Sequence, residues 1–206
     1  MKNLLIVLAA LSLLSGCGSD SSSEILSDQV PVDNLTTGHY IGSVVEQNGD
    51  VSLAYGFYGK NDQGFVFTVD NDKEQASRVY LKQQVWQSNS NEAFSFAKTS
   101  QWQLPYLGSV DAVGSYQVWH EEIGPLAVEI KTSGAIEVTG NNSCYGVGML
   151  GENIGNGISL SLTLKRCSNV DDSNFQGLLW QVDDSQMQQL RLVSFSESTV
   201  IDWYLQ

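Results

Sequence analysis

The stretch Gly157-Ile158-Ser159-Leu160-Ser161-Leu162-Thr163-Leu164 alternates large aliphatic with small polar side chains without a break. A period of two puts every second side chain on one face of an extended chain, whereas a helix would scatter the same aliphatics around its axis. The pattern continues outward in both directions. Upstream, Tyr145, Val147 and Met149 alternate with Cys144, Gly146 and Gly148, separated from the first run by a glycine-rich turn at Gly151 to Gly157. Before them, Leu126, Val128 and Ile130 lead through a Ser133-Gly134 turn into Ile136 and Val138. Downstream come Leu178, Trp180 and Val182, then Leu190 and Leu192, then Ile201, Trp203 and Leu205.

The first half of the chain carries the same signal less evenly. Tyr40 to Glu46 and Val51, Leu53, Tyr55 and Phe57 flank Asn48-Gly49, a pair suited to a tight hairpin. Phe65, Phe67 and Val69 follow, and then Phe94 and Phe96. Val79, Leu81 and Val85 fit a strand or a short helix, and Val110 to Trp119 is irregular. The expectation is an all-β chain, a single antiparallel β-barrel or β-sandwich of roughly 8–11 short strands, each with one face in and one out. Trp180 and Trp203 share a register with Leu178 and Leu205 and read as core.

The N-terminus has a different character. Leu4 to Leu14 is apolar behind Lys2, shorter than the roughly 18 residues of a membrane-spanning helix. The small residues of Leu14-Ser15-Gly16-Cys17 mark a signal-peptide cleavage site. The tetrapeptide resembles the lipobox of bacterial lipoproteins. That resemblance implies removal of residues 1–16, lipidation of Cys17, and a membrane partnership through its acyl chains. With Gly18 rather than aspartate next, it implies the bacterial outer membrane, facing the periplasm or the cell surface. Residues 17–35, rich in serine, read as a tether, and residues 36–206 as the β-domain. Without Lys2 the chain has nine basic against 23 acidic residues, a net charge of −14. Such a body is repelled by nucleic acid, which is excluded as a partner.

Motifs that carry chemistry are sparse. Cys144 and Cys167 remain once Cys17 is lipidated, and an even pair in an oxidising envelope reads as a disulfide. They lack the companions of a zinc site. His39 and His120 are the two histidines; Glu121 and Glu122 would raise the His120 pKa if they lay beside it, but a strand sends His120 and Glu121 to opposite sides and the run reads as a solvated loop. Neither a Gly-x-Ser-x-Gly elbow nor a phosphate loop occurs, and no cofactor or metal is expected. Asp70-Asn71-Asp72, Asp171-Asp172 and Asp183-Asp184 read as turns rather than calcium loops. Of the five tryptophans, Trp102 and Trp119 lie outside the regular apolar registers and are the candidates for ligand binding. The expected function is a non-enzymatic binding module for a cationic envelope protein or a glycan. The alternatives are a calycin-like carrier of an apolar molecule, with room left by Gly146 and Gly148, and an enzyme using an unidentified carboxylate pair.

Overall fold

In the computed structural model the described residues are 35–206 except 47–48, 71, 73, 84–85, 91–93, 171 and 183–188. Cys17, the signal segment and the tether up to residue 34 lie outside them. Fourteen strands run through the described residues. They are β1 (Gly38–Glu46), β2 (Val51–Tyr58), β3 (Gly64–Val69), β4 (Ala76–Lys82), β5 (Trp86–Ser88), β6 (Phe94–Trp102) and β7 (Gly114–His120). The second set is β8 (Gly124–Ile130), β9 (Ala135–Gly140), β10 (Tyr145–Ile154), β11 (Gly157–Lys165), β12 (Ser173–Gln181), β13 (Leu190–Phe195) and β14 (Val200–Leu205). All-β and antiparallel is what the alternation predicts. The strand number is larger than expected because β5 is only three residues long and the β4 and β7 segments are irregular in sequence.

The strands form two sheets rather than one. β7 to β14 pair strictly in chain order as an eight-stranded meander. Its two end strands come together where Gln117 and Gln206 exchange backbone hydrogen bonds of 2.8 and 3.3 Å, so the sheet is nearly a closed barrel. The other sheet has the order β5-β4-β3-β2-β1-β6. It curls far enough for Tyr80 of β4 to stack on Phe94 of β6 at 3.8 Å. Tyr40, Val44, Val66 and Phe96 fill the hollow of that curl.

Leu126, Val128, Ile136, Val138, Leu160, Leu162, Leu164, Phe175, Leu192 and Trp203 fill the inside of the eight-stranded sheet. An apolar interior is the reverse of a membrane-spanning barrel, whose lumen is polar. Gly146 and Gly148 face inward, but they open no cavity. A Cβ on Gly146 would lie 2.6 Å from Leu164 Cδ2, and one on Gly148 only 2.4 Å from the Ser161 carbonyl. The space that their missing side chains leave is occupied by the neighbouring strand.

The same packing turns Tyr145, Val147 and Met149 outward, 40, 57 and 48% exposed. The β10 apolar register therefore faces solvent. Both neighbours enforce this: Gly146 sits opposite Val138 and Leu164, and Gly148 opposite Ile136 and Leu162. The turn that follows is also tighter than the glycines suggest. β10 continues to Ile154 through a register shift after Leu150, leaving only Gly155 and Asn156 to turn, with Gly155 at φ 61°.

One-face burial fails where the sheets meet. Phe57, Phe65 and Phe67 of the six-stranded sheet pack on Leu178, Trp180, Val193 and Phe195 from the outside of β12 and β13. Trp180 lies 5.1 Å from Phe57 and 5.5 Å from Phe67 between ring centroids. Residues 64–68 of β3, 177–180 of β12 and 192–195 of β13 are thus buried on both sides, although only β3 reads as a nearly continuous apolar run. Trp180 and Trp203 are both core, on opposite sides of one wall.

A polar bolt joins the sheets beside this layer. Arg191 of β13 donates to both oxygens of Asp202 on β14, from Nε at 2.9 Å and Nη2 at 2.6 Å. The Asp202 carboxylate also accepts the Ala76 N–H of β4 at 2.7 Å. The guanidinium lies over the rings of Tyr204, Phe67 and Trp180 at 4.9, 5.4 and 5.6 Å. Burial opposes the Arg191 charge, but the bond and charge of Asp202 outweigh it and its pKa lies above the usual value.

Candidate binding groove at the barrel seam

Up-and-down order sorts the connections of β7 to β14 to two ends. The turns at 121–123, 141–144, 166–172 and 196–199 gather at one end, and those at 131–134 and 155–156 at the other. β1 enters at this second end, because the Asn156 N–H donates to Nε2 of the buried His39 at 3.1 Å.

β7 and β14 meet at Gln117 and Gln206 and form no ladder above that pair. The unladdered part of the seam carries Trp119. Val118 points into the core, so alternation sends Trp119 outward, 74% exposed. On one side of it is a hollow of about 420 Å³ with Gln75, Gln117, Pro125, Tyr204 and Gln206 on its walls. On the other, a hollow of about 400 Å³ is bounded by His120, Glu121, Glu122, Asn169, Ser198 and Thr199. Gln75, Trp119 and Asp202 line both. The two hollows adjoin at these residues and together make a groove with the indole as the ridge between them.

The surrounding groups are held in place. His120 Nδ1 accepts the Glu122 N–H at 3.2 Å, and the imidazole stands edge-on to Trp203 with centroids 6.3 Å apart. Burial pushes the His120 pKa below its usual value, and Glu122 and Glu121 pull it back only partly. This reverses the direction that the adjacent acids suggest, because desolvation beside Trp203 wins. The Asn169 amide donates to the Glu122 carbonyl at 3.3 Å. Asn169 comes from the loop held by the disulfide between Cys144 and Cys167, whose Cα atoms are 4.3 Å apart. Asp202 is not available as an acid or base, since its oxygens are taken by Arg191 and the Ala76 N–H.

Trp102 ends β6 on the other sheet, opposite His39, and its side chain lies outside the described residues. The structure thus separates the two candidate tryptophans. A broader depression of about 460 Å³ lies on the outer wall beside Tyr145 and Val147. Of its polar groups, Thr163 donates to Asn174 at 2.7 Å and Asp172 accepts the backbone N–H of the neighbouring Arg166 at 2.7 Å. Among the acidic clusters, Asp70 accepts the Asp72 N–H at 2.9 Å, as a turn former does. No group of three or more His, Cys, Asp or Glu positioned to hold a metal ion occurs among the described residues.

The sequence points to Trp119 and to the adjoining His120, Glu121 and Glu122, but not to the rest of the lining. Gln75, Asn169 and Thr199 reach the groove from three distant segments, and no local pattern joins them. Set against protein-family models, curated proteins and solved structures, the chain matches none of them.

Proposed function

We propose that this protein is an outer-membrane lipoprotein whose β-structure binds an envelope glycan, without catalysis, across Trp119. The observation that carries this is a largely exposed indole between two hollows, the upper walled chiefly by hydroxyl, amide and carboxylate groups and the lower by Val118, Pro125 and Tyr204 together with Gln75, Gln117 and Gln206. The C–H face of a pyranose ring stacks on an indole, and its hydroxyls both donate and accept, which matches amides and carboxylates. Each hollow falls within the roughly 300–1,000 Å³ of small-molecule sites. A lone exposed apolar residue needs no explanation, but one seated between a polar hollow and a mixed one does.

The lipid anchor fits this reading. β1 begins at the 155–156 end, where His39 meets Asn156, while Trp119 lies beside the 121–123 turn. A nine-residue strand such as β11 rises about 30 Å along its axis, so the groove sits at the end away from the start of β1. Mass spectrometry of the N-terminal peptide tests the anchor: an acylated Cys17 supports it, and a free Cys17 thiol in an uncleaved chain refutes it.

Glycan binding is tested by co-sedimentation of the detergent-solubilised full-length protein with the insoluble envelope glycan of its host. Trp119→Ala is expected to weaken capture about 30-fold, as for a central aromatic anchor worth about 2 kcal/mol. Its midpoint of unfolding should hardly move, because an exposed substitution stays within about 0.5 kcal/mol. Equal capture of the variant would remove Trp119, and the groove with it, from the reading.

A further inference from the structure

We infer that the bound glycan is a linear oligosaccharide without net negative charge, lying across the Trp119 ridge with sugar units in both hollows. This rests on the glycan reading above and adds its length and charge class.

Length follows from the groove. The hollows share Gln75, Trp119 and Asp202, so they adjoin along the seam on either side of the indole. Trp119 stands between them, and a single ring stacked on it leaves both hollows unfilled. The Gln117–Gln206 pair marks the point where the strands close together. Above it, Tyr204 on β14 and Pro125 beside β7 widen the platform around the indole.

Charge follows from the lining. Glu121 and Glu122 stand at the rim of the upper hollow, and no Lys or Arg lines either hollow. The guanidinium behind the groove, Arg191, has its charge answered by Asp202 through two hydrogen bonds. Two further titratable groups face this space: His120, whose pKa burial pushes below its usual value despite the adjacent acids, and Tyr204, whose pKa burial pushes up. An anionic sugar would meet two carboxylates and no cation, in a cleft where low-dielectric walls sharpen the repulsion. Neutral hexoses and amino sugars meet no such barrier.

The test is calorimetric titration of the full-length protein in detergent with tetramers of glucose, mannose, N-acetylglucosamine, glucosamine and galacturonic acid, and with the matching dimers. The wild type is expected to bind at least one neutral or amino-sugar tetramer at least tenfold more tightly than its dimer. Tetragalacturonate should bind at least tenfold more weakly than that tetramer and regain affinity in Glu121→Gln/Glu122→Gln. If tetragalacturonate binds the wild type best and Trp119→Ala abolishes it, the charge inference falls while the glycan reading stands. Dimers that bind as tightly as tetramers overturn the ridge-spanning length. If no saccharide prefers the wild type to Trp119→Ala, the glycan reading falls and the inference with it. Salt-sensitive binding of polylysine alone, indifferent to Trp119, would instead identify a surface for cationic protein.

Discussion

Asp202→Ala is expected to destabilise the protein by about 3–5 kcal/mol, the range for removing one member of a buried ion pair. The Arg191 side chain is only 11% exposed and that of Asp202 4%, so neither is screened by solvent as a surface pair would be. Without the carboxylate, the guanidinium remains among Tyr204, Phe67 and Trp180 with its charge unanswered. The Ala76 N–H loses its acceptor as well. In urea, with a slope of about 2 kcal/mol per molar, the midpoint should fall by about 1.5–2.5 M. Arg191→Met should also cost stability, by stranding Asp202. The double variant Arg191→Met/Asp202→Leu should recover most of the loss, since apolar replacement of a whole buried pair is often neutral. Because the pair joins β13 and β14 to β4, Asp202→Ala should also split unfolding into two steps, with the curled six-stranded sheet melting first. A single transition with an unchanged midpoint would mean that the bolt contributes nothing.

That pair also shows where reading the sequence stops. β11 was legible because one of its faces is covered and the other is not, so its side chains alternate cleanly. Arg191 lies between Leu190 and Leu192, where the same logic assigns it to solvent. It is buried because a second sheet, distant in sequence, covers that side of the barrel. β10 fails for the opposite reason. Its large side chains look like the core face, yet the inward face belongs to Gly146 and Gly148, whose volume Leu162 and Leu164 take. Register there is a property of three strands together and cannot be read from one. Trp119 was visible as an aromatic in an irregular stretch, but the groove around it depends on Gln75, Asn169 and Thr199 converging through the fold. The cysteine pair needed no such convergence: residues 36–206 hold two cysteines, Cys144 and Cys167, and they are bonded to each other.

Replacing both cysteines, Cys144→Ala/Cys167→Ala, is expected to lower stability by about 3 kcal/mol, the chain-entropy value for releasing a loop of this size. The cross-link spans 23 residues, and its effect grows only logarithmically with that length. Both sulfurs are buried, at 3 and 7% residue exposure, and replacing them together leaves neither partner behind as a lone thiol. The loss is not confined to the unfolded chain. The 166–172 loop brings Val170 into the barrel core and Asn169 to the Glu122 carbonyl. With the cross-link gone, this loop should open before the rest of the sheet and take one wall of the upper hollow with it. Two readings on the same sample separate these effects. The urea midpoint should fall by about 1.5 M at a slope of about 2 kcal/mol per molar, and hydrogen exchange of the 166–170 amides should accelerate under conditions where β11 and β12 remain protected. Wild-type protein treated with reductant should reproduce both changes. A reductant-treated wild type that keeps its midpoint would show that Cys144 and Cys167 remain thiols in the folded protein, and the far wall of the groove would then depend on packing alone.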